Sequence, residues 1–356
     1  MEKYTKNVIA VKHNDLEKLI IRAWKTKTPL FITGPIGIGK STVIRTAGHK
    51  IAKELGLEVV ETKEPNLHPD KFVITDVRLA QRDPADVIGV PYIFAVVELP
   101  DKGSKIIPVN ALPNFISQNG NSAKIRTYVT KWSAPSWLPR DPDSAGILFV
   151  DEFNLAPPIV QSAFYEAIND RRLGDWICPD KWIVIGAGNR GAEDGVSIFD
   201  PPDPLANRFC WVELLVPSIE EWTTWALNHG VDHRIVSFLN TRRALLYDHD
   251  PRRKEKAFPT PRGWGERASP LIKGIEDLDE IELYVSSAVG SGAAIEFVEW
   301  LRTRKELPPP EQYISKAKKI KIPSDTSLLY VLCSNLADYY LGSKNKYEVL
   351  RGIVII

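Results

Sequence analysis

The chain has 356 residues, 44% apolar and 26% charged, which is enough to bury two subdomain cores and too apolar for a disordered polyelectrolyte. Its 46 Lys and Arg against 45 Asp and Glu leave a formal net charge of +1, so no chain-wide field draws it to nucleic acid or lipid, and any such contact is local. Cys178, Cys210 and Cys333 are too scattered for a disulfide framework or a zinc spacing and read as buried small hydrophobes in a reducing compartment. The opening MEKYTKNVIAVKHNDLEKL lacks the apolar core of a secretory signal, and no stretch reaches the roughly 20 apolar residues of a membrane helix, so the sequence predicts a cytoplasmic protein.

In chain order, Asn14 with Glu17 three residues on reads as the cap of a first helix. Residues 30–32 are an apolar strand, followed by a glycine-rich turn and a helix that Gly56 stops. The turn matches G-x-x-x-x-G-K-S, running Gly34, Pro35, Ile36, Gly37, Ile38, Gly39, Lys40, Ser41, with Thr42 next. Glycines let successive N–H groups curl around phosphate oxygens, and the following helix N-terminus adds positive potential. Lys40 reaches the outer phosphates and the Ser41 hydroxyl binds Mg²⁺, so the ligands are ATP and Mg²⁺.

Between Asp76 and Arg140, two strand-like runs joined by PDKGS read as a hairpin or small sheet inserted at about residues 77–145. It either covers a sheet edge or faces a partner. TKWSAPSWLPR, with Trp132 and Trp137 among prolines, reads as a packed surface loop, a partner contact being the alternative. Residues 147–150 are fully apolar, as in a central parallel strand, and Asp151 and Glu152 emerge at its C-terminal end, where open α/β sheets bind ligands. Asp151 serves the Mg²⁺ shell, and Glu152 takes a proton from an attacking water. A helix from about Ala156 puts Val160, Phe164, Ala167 and Ile168 on one face. Residues 182–185 form another buried strand leading to Asn189, whose amide can orient that water. Arg208, in PLANRF, follows after a short connection, and by itself reads as a helix C-terminal cap.

From Val216 the texture turns helical, with Ser218 and Glu221 as a capping box ahead of Trp222, Trp225 and Leu227. Two later helices cover VGSGAAIEFVEWLRTRKEL and SDTSLLYVLCSNLADYYLG, joined by a rigid LPPPEQY link. The run Lys316, Lys318, Lys319 and Lys321 reads as a solvated face before a nucleic-acid patch. The apolar LRGIVII at the end reads as a last strand or as the lead into a further domain. His229 and His233 are four apart, but Gly230 between them marks a helix end, and no histidine has metal or hydrolase spacing.

The phosphate loop, LFVDE, GAGNR, LANRF and FPTPRGW occur in the order of AAA+ ATPases, and the chain resembles the MoxR group of the dynein-related branch from about Leu30 to Trp264. The resemblance implies an α/β P-loop NTPase with a parallel sheet flanked by helices and a hairpin-like insert, at residues 1–216, and a mainly helical lid at 217–356. It implies that Asn189 is the sensor 1 residue, Arg208 the arginine finger and Arg262 the sensor 2 arginine, acting within its own subunit or across to the next. It also implies a homo-oligomeric, hexameric ring and a protein client, of a kind often carrying a von Willebrand factor A domain. The group has an arginine after D-E-I-N where this chain has Leu155, which leaves that arginine's contribution absent or supplied by Arg171, Arg172 or Arg190.

Three functions stay open. An ATP-driven ring that remodels a partner protein uses every motif. A nucleic-acid translocase shares the core but wants a basic pore hairpin, and the insert tip has only Lys102 and Lys105 beside Asp101. A nucleotide-dependent structural ring with little turnover sits poorly with intact Glu152 and Arg208.

Overall fold

The computed structural model describes residues 8–100, 103–119, 123–306 and 310–315, with scattered positions between 322 and 350. The insert tip at Lys102, the basic run Lys316, Lys318, Lys319 and Lys321, most of the last expected helix and the terminal residues 351–356 lie outside the described residues. Internal contacts divide the chain into two units: Met1–Gly34, Lys40–Ala192 and Val196–Leu215 form the first, and Pro35–Gly39, Glu193–Gly195 and Val216–Ile356 the second.

The first unit opens with β1 (Ile9–Val11), α1 (His13–Thr26), β2 (Leu30–Thr33), α2 (Lys40–Leu55), β3 (Val59–Glu61) and β4 (Phe72–Arg78). An insert follows, made of α3 (Pro84–Ile88), β5 (Val90–Leu99), β6 (Gly103–Pro108), α4 (Leu112–Asn119) and β7 (Lys124–Ser133). The chain returns as β8 (Ala145–Asp151), α5 (Pro158–Ala163), α6 (Tyr165–Asn169), the short hairpin β9 (Arg172–Leu173) and β10 (Trp176–Ile177), β11 (Lys181–Ala187), α7 (Asp203–Ala206) and β12 (Cys210–Leu214).

Seven strands pair in the order β1-β12-β2-β11-β8-β4-β3, and every pairing is parallel. Parallel pairing puts all strand C-termini on one edge, and helical crossovers cover both faces, which is why β2 and β8 are continuous apolar runs with no alternation. Phe31 of β2 meets Phe153 edge-on at 5.7 Å and Phe209 at 5.3 Å. The residues that follow Glu152 and Arg208 are thus anchored on the phosphate-loop strand, and full burial of each such ring contributes about 1.5–3 kcal/mol.

Several local expectations are corrected. The first helix starts at His13 with Lys12 as its N-cap and no side-chain cap, because the chain leaves β1 extended at Lys12 and Asn14 already lies inside the first turn. The helix expected from Ala156 breaks at Phe164 (φ −90°, ψ −2°) into α5 and α6, while Val160, Phe164, Ala167 and Ile168 all stay buried. The insert is a three-stranded antiparallel sheet, β6-β5-β7, with α4 packed on Ala95 and Val97. Its third strand takes in Trp132, which is 39% exposed, whereas Trp137 is buried. Of the cysteines, Cys178 is buried, but Cys210 and Cys333 are exposed.

In the second unit, Ser218 and Glu221 do form a capping box at the start of α8 (Ile219–Asn228), although Leu227 faces solvent. Then come α9 (His233–Thr241), a π-helical turn at Gly263–Ala268, α10 (Ser269–Ile272), α11 (Leu278–Val289), α12 (Ser291–Glu306) and α13 (Pro310–Ser315). Their core gathers Trp222, Phe238, Trp264, Phe297 and Trp300. Among the described residues no helix is long and apolar enough to cross a membrane.

Candidate functional site

The loop between β2 and α2 has Gly34, Gly37 and Gly39 at φ 149°, 73° and 97°, values an L side chain adopts only with strain. Lys40 is the first residue of α2 and turns back so that its Nζ donates to the Gly34 carbonyl at 2.6 Å. Ser41 and Thr42 follow it in the first turn of a 16-residue helix, the end at which the helix dipole concentrates positive potential. The loop apex belongs to the second unit: the Arg262 N–H donates to the Gly37 carbonyl at 3.0 Å, and a Cβ on Gly37 would lie 2.9 Å from Thr260 Oγ1. Thr260 is itself buried, and its hydroxyl accepts from the Gly263 N–H at 2.8 Å. The Arg262 guanidinium is half-exposed, with Nε 3.9 Å from Glu266 Oε2.

Strand register fixes the neighbours of the loop's root. β11 lies between β2 and β8, pairing Ala187 with Ile32 on one side and Gly186 with Val150 on the other. Beyond the ladder the Gly188 N–H still donates to the Ile32 carbonyl at 3.0 Å. Gly34 and Asn189 therefore leave adjacent strands at one level, and Asp151, level with Ile32 and Ala187, ends the third strand two residues earlier, all on the C-terminal edge where ligands bind in such sheets. Asn189 stands two residues past the end of β11.

Asp151 and Glu152 are both half-buried, and Glu152 is left-handed at φ 53°, ψ 34°. That conformation is costly for a residue with a Cβ, and it turns the chain sharply at the end of β8. Asp151 Oδ1 accepts from the Glu152 N–H at 3.0 Å, which holds the turn. On the next strand, Asp76 precedes the level of Asp151 by two residues. Burial raises its carboxyl above the usual value of 3.8, and the charge of Asp151 raises it further, against the pull of Arg45. Arg45 is shared between Asp76 (3.5 Å) and Glu61 (2.8 Å). Sequence reasoning did not single out Asp76, since an acid in the middle of FVITDVR gives no local sign of the strand beside it.

Arg208 stands apart from this edge. It lies two residues before β12, whose first residue pairs with Leu30 and is itself roughly 13 Å along the strand from Gly34 at about 3.3 Å per residue, so Arg208 sits at the N-terminal end of the sheet. The residue is exposed, and its guanidinium lies over the Tyr165 ring at 5.4 Å. Of the arginines considered as substitutes at Leu155, Arg171 donates to the Trp182 and Pro179 carbonyls at the far end of β11, and Arg172 is exposed in β9. Arg190 alone of the three adjoins Asn189, where it pairs with Glu213 at 3.4 Å.

Among the described residues no group of three or more His, Cys, Asp or Glu is placed to hold a metal ion. Ser41 in the first turn of α2 and Asp151 at the end of β8 are a hydroxyl and a carboxylate, donor types that fit Mg²⁺ bound through few protein ligands plus substrate phosphates.

No family model and no curated protein matches the sequence. Among solved structures, the chain is similar to NtrX from Brucella abortus, at 15% identity and a TM-score of 0.37, covering 96% of this chain and 68% of that one. NtrX has also been solved in complex with ADP and with ATP. A mutant of Thermotoga maritima RuvB matches at 16% identity and a TM-score of 0.33 over 95% of this chain and 88% of its own. Domain III of the Thermotoga maritima replication initiation protein DnaA matches at 15% identity and 0.36 over 80% and 95%.

Proposed function

We propose that the chain is an AAA+ ATPase of the MoxR-like group, which assembles with copies of itself into a ring and couples ATP hydrolysis to remodelling of a partner protein. The observation that carries this reading is the placement of the loop's root, Asn189 and the Asp151–Glu152 turn on three adjacent strand tips, with Arg208 at the opposite end of the same sheet.

In this reading the loop N–H groups and Lys40 bind the phosphates. Ser41 and Asp151 would hold Mg²⁺, which when bound would neutralise charge at the phosphates. Glu152 accepts a proton from the attacking water and Asn189 orients that water. Arg208 is too far along the sheet to serve the root of its own loop, and serves a neighbouring subunit's phosphates instead. A finger given in this way contributes about 10³–10⁵ in rate, so an isolated subunit should be nearly silent. Arg262 binds phosphate from beside the loop apex. The family resemblance adds a hexameric ring and a client with a von Willebrand factor A domain.

The test is ATPase rate against protein concentration, with and without DNA, for wild type, Glu152→Gln and Arg208→Ala. Specific activity should rise with concentration, and both variants should lose it. Concentration-independent turnover unchanged in Arg208→Ala would remove the ring, and stimulation by DNA of about tenfold, or 1.4 kcal/mol in barrier, would replace the client reading with a translocase.

A further inference from the structure

Asn154 is the one asparagine of the DEFNL turn, and the proposed chemistry leaves it without a role. It is 3% exposed, in the short 3₁₀ turn Phe153–Leu155 that follows Glu152. Its side chain makes a two-way pair with the main chain of a residue 35 positions away: Nδ2 donates to the Asn189 carbonyl at 2.8 Å, and Oδ1 accepts the Asn189 N–H at 3.2 Å. The Asn154 amide continues the strand ladder by one rung after β11 has ended at Ala187.

Space is arranged to suit it. A Cβ on Gly188 would sit 2.5 Å from Asn154 Oδ1 and 2.7 Å from its Cγ, so only glycine admits the amide that close. The Asn154 carbonyl accepts from the Phe199 N–H at 2.8 Å, and the buried Gln161 closes the same loop by donating Nε2 to the Phe199 carbonyl at 3.0 Å and to the Ala156 carbonyl at 2.9 Å. One residue thus ties together the acid turn, the backbone of Asn189 and the loop at Phe199.

We propose that Asn154 is a positioning residue for the hydrolytic step, fixing the Asn189 backbone so that its side-chain amide is presented at the strand edge beside Glu152. The proposal rests on the reading of Asn189 as the water-orienting amide. The chemistry specifies the residue type. A neutral carboxamide offers one donor and one acceptor in a single plane, which is what a peptide N–H and C=O demand. A carboxylate keeps the acceptor but turns a charge on the Asn189 carbonyl, and an alanine removes the partner of both part-buried groups. ATP binding runs through the phosphate loop, so the proposal separates affinity from turnover.

The experiment compares wild type with Asn154→Asp and Asn154→Ala by amide hydrogen exchange and steady-state ATPase kinetics. In wild type the Asn189 N–H is protected although it lies outside the strand. In Asn154→Ala that protection is lost while residues 183–187 of β11 stay protected, and in the nearly isosteric Asn154→Asp it is kept. Both variants lower kcat by about tenfold or more, since small misplacements of a catalytic group cost that much, and leave KM for ATP within about threefold. Wild-type kcat in both variants, an effect confined to KM, or an Asn189 N–H that exchanges alike in wild type and Asn154→Ala would each overturn the proposal. A wild-type protein without ATPase activity would overturn the proposed function instead, and the exchange pattern would then decide the positioning role by itself.

Discussion

Replacing Gly37 by alanine tests whether the apex of the phosphate loop is held in a shape that only glycine can take. The residue has φ 73°, and placing an L side chain in the left-handed region costs about 1–2 kcal/mol. The new Cβ would also lie 2.9 Å from Thr260 Oγ1 and 3.0 Å from Thr260 Cβ, so Thr260 has to move. Its hydroxyl accepts from the Gly263 N–H, and losing that bond to a buried donor costs about 1–3 kcal/mol more. A loop that relaxes to avoid these costs must repay them when it closes on nucleotide, so affinity for a fluorescent ATP analogue should fall by about tenfold or more, the equivalent of 1.4 kcal/mol. Gly56→Ala is the control, because Gly56 has nearly the same φ, 70°, yet no atom lies within 4 Å of its Cβ position. It should lower the melting temperature slightly and leave affinity unchanged. Wild-type affinity in Gly37→Ala, or equal losses in the two variants, would refute the reasoning.

Two further outcomes follow from the rest of the molecule. Arg234 is buried, donates to the Ile272 and Ile275 carbonyls at 2.6 Å each, and pairs with Asp232 at 2.8 Å. Burial by itself would raise the Asp232 carboxyl, but hydrogen bonds from the Arg234 side chain and N–H outweigh it and hold it below 3.8. Asp232 thus ionises more readily folded than unfolded, so its stabilisation is intact above that value and drains away as pH falls through the lowered one. Arg234→Ala should cost about 3–5 kcal/mol in chemical denaturation at neutral pH, and a variant within 1 kcal/mol of wild type would contradict the buried pair. Burial pushes the Cys178 thiol up to about 11, so alkylation at neutral pH should spare it and label Cys210 and Cys333, read out by peptide mass mapping.

What was legible in the sequence divides by distance along the chain. The phosphate loop is contiguous, because curling a backbone around phosphate needs neighbouring residues, and LFVDE is legible because a strand buried on both faces cannot alternate. Strand β7 was missed for the opposite reason. KIRTYVTKWS lies almost wholly exposed on the insert, so its polar and apolar residues sit in a pattern that a loop could share. The pairing of Asn154 with Asn189 spans 35 residues, and that of Thr260 with Gly37 more than 200, so the local sequence identifies neither partner. The buried Asn in DEFNL was a usable signal, since an amide among apolar neighbours needs partners. The placement of Arg208 at the N-terminal end of the sheet required the strand order itself.

The central claim, that Arg208 completes the site of another copy, is tested most directly by mixing two inactive variants. Arg208→Ala retains its own Glu152 but offers no finger, and Glu152→Gln offers a finger but has no base. Each should be inactive alone. Random co-assembly places an intact Glu152 opposite an intact Arg208 at about a quarter of the interfaces, so an equimolar mixture should recover up to about a quarter of wild-type ATPase activity. A mixture as inactive as its parts, or an Arg208→Ala protein that hydrolyses ATP at the wild-type rate by itself, would contradict the account.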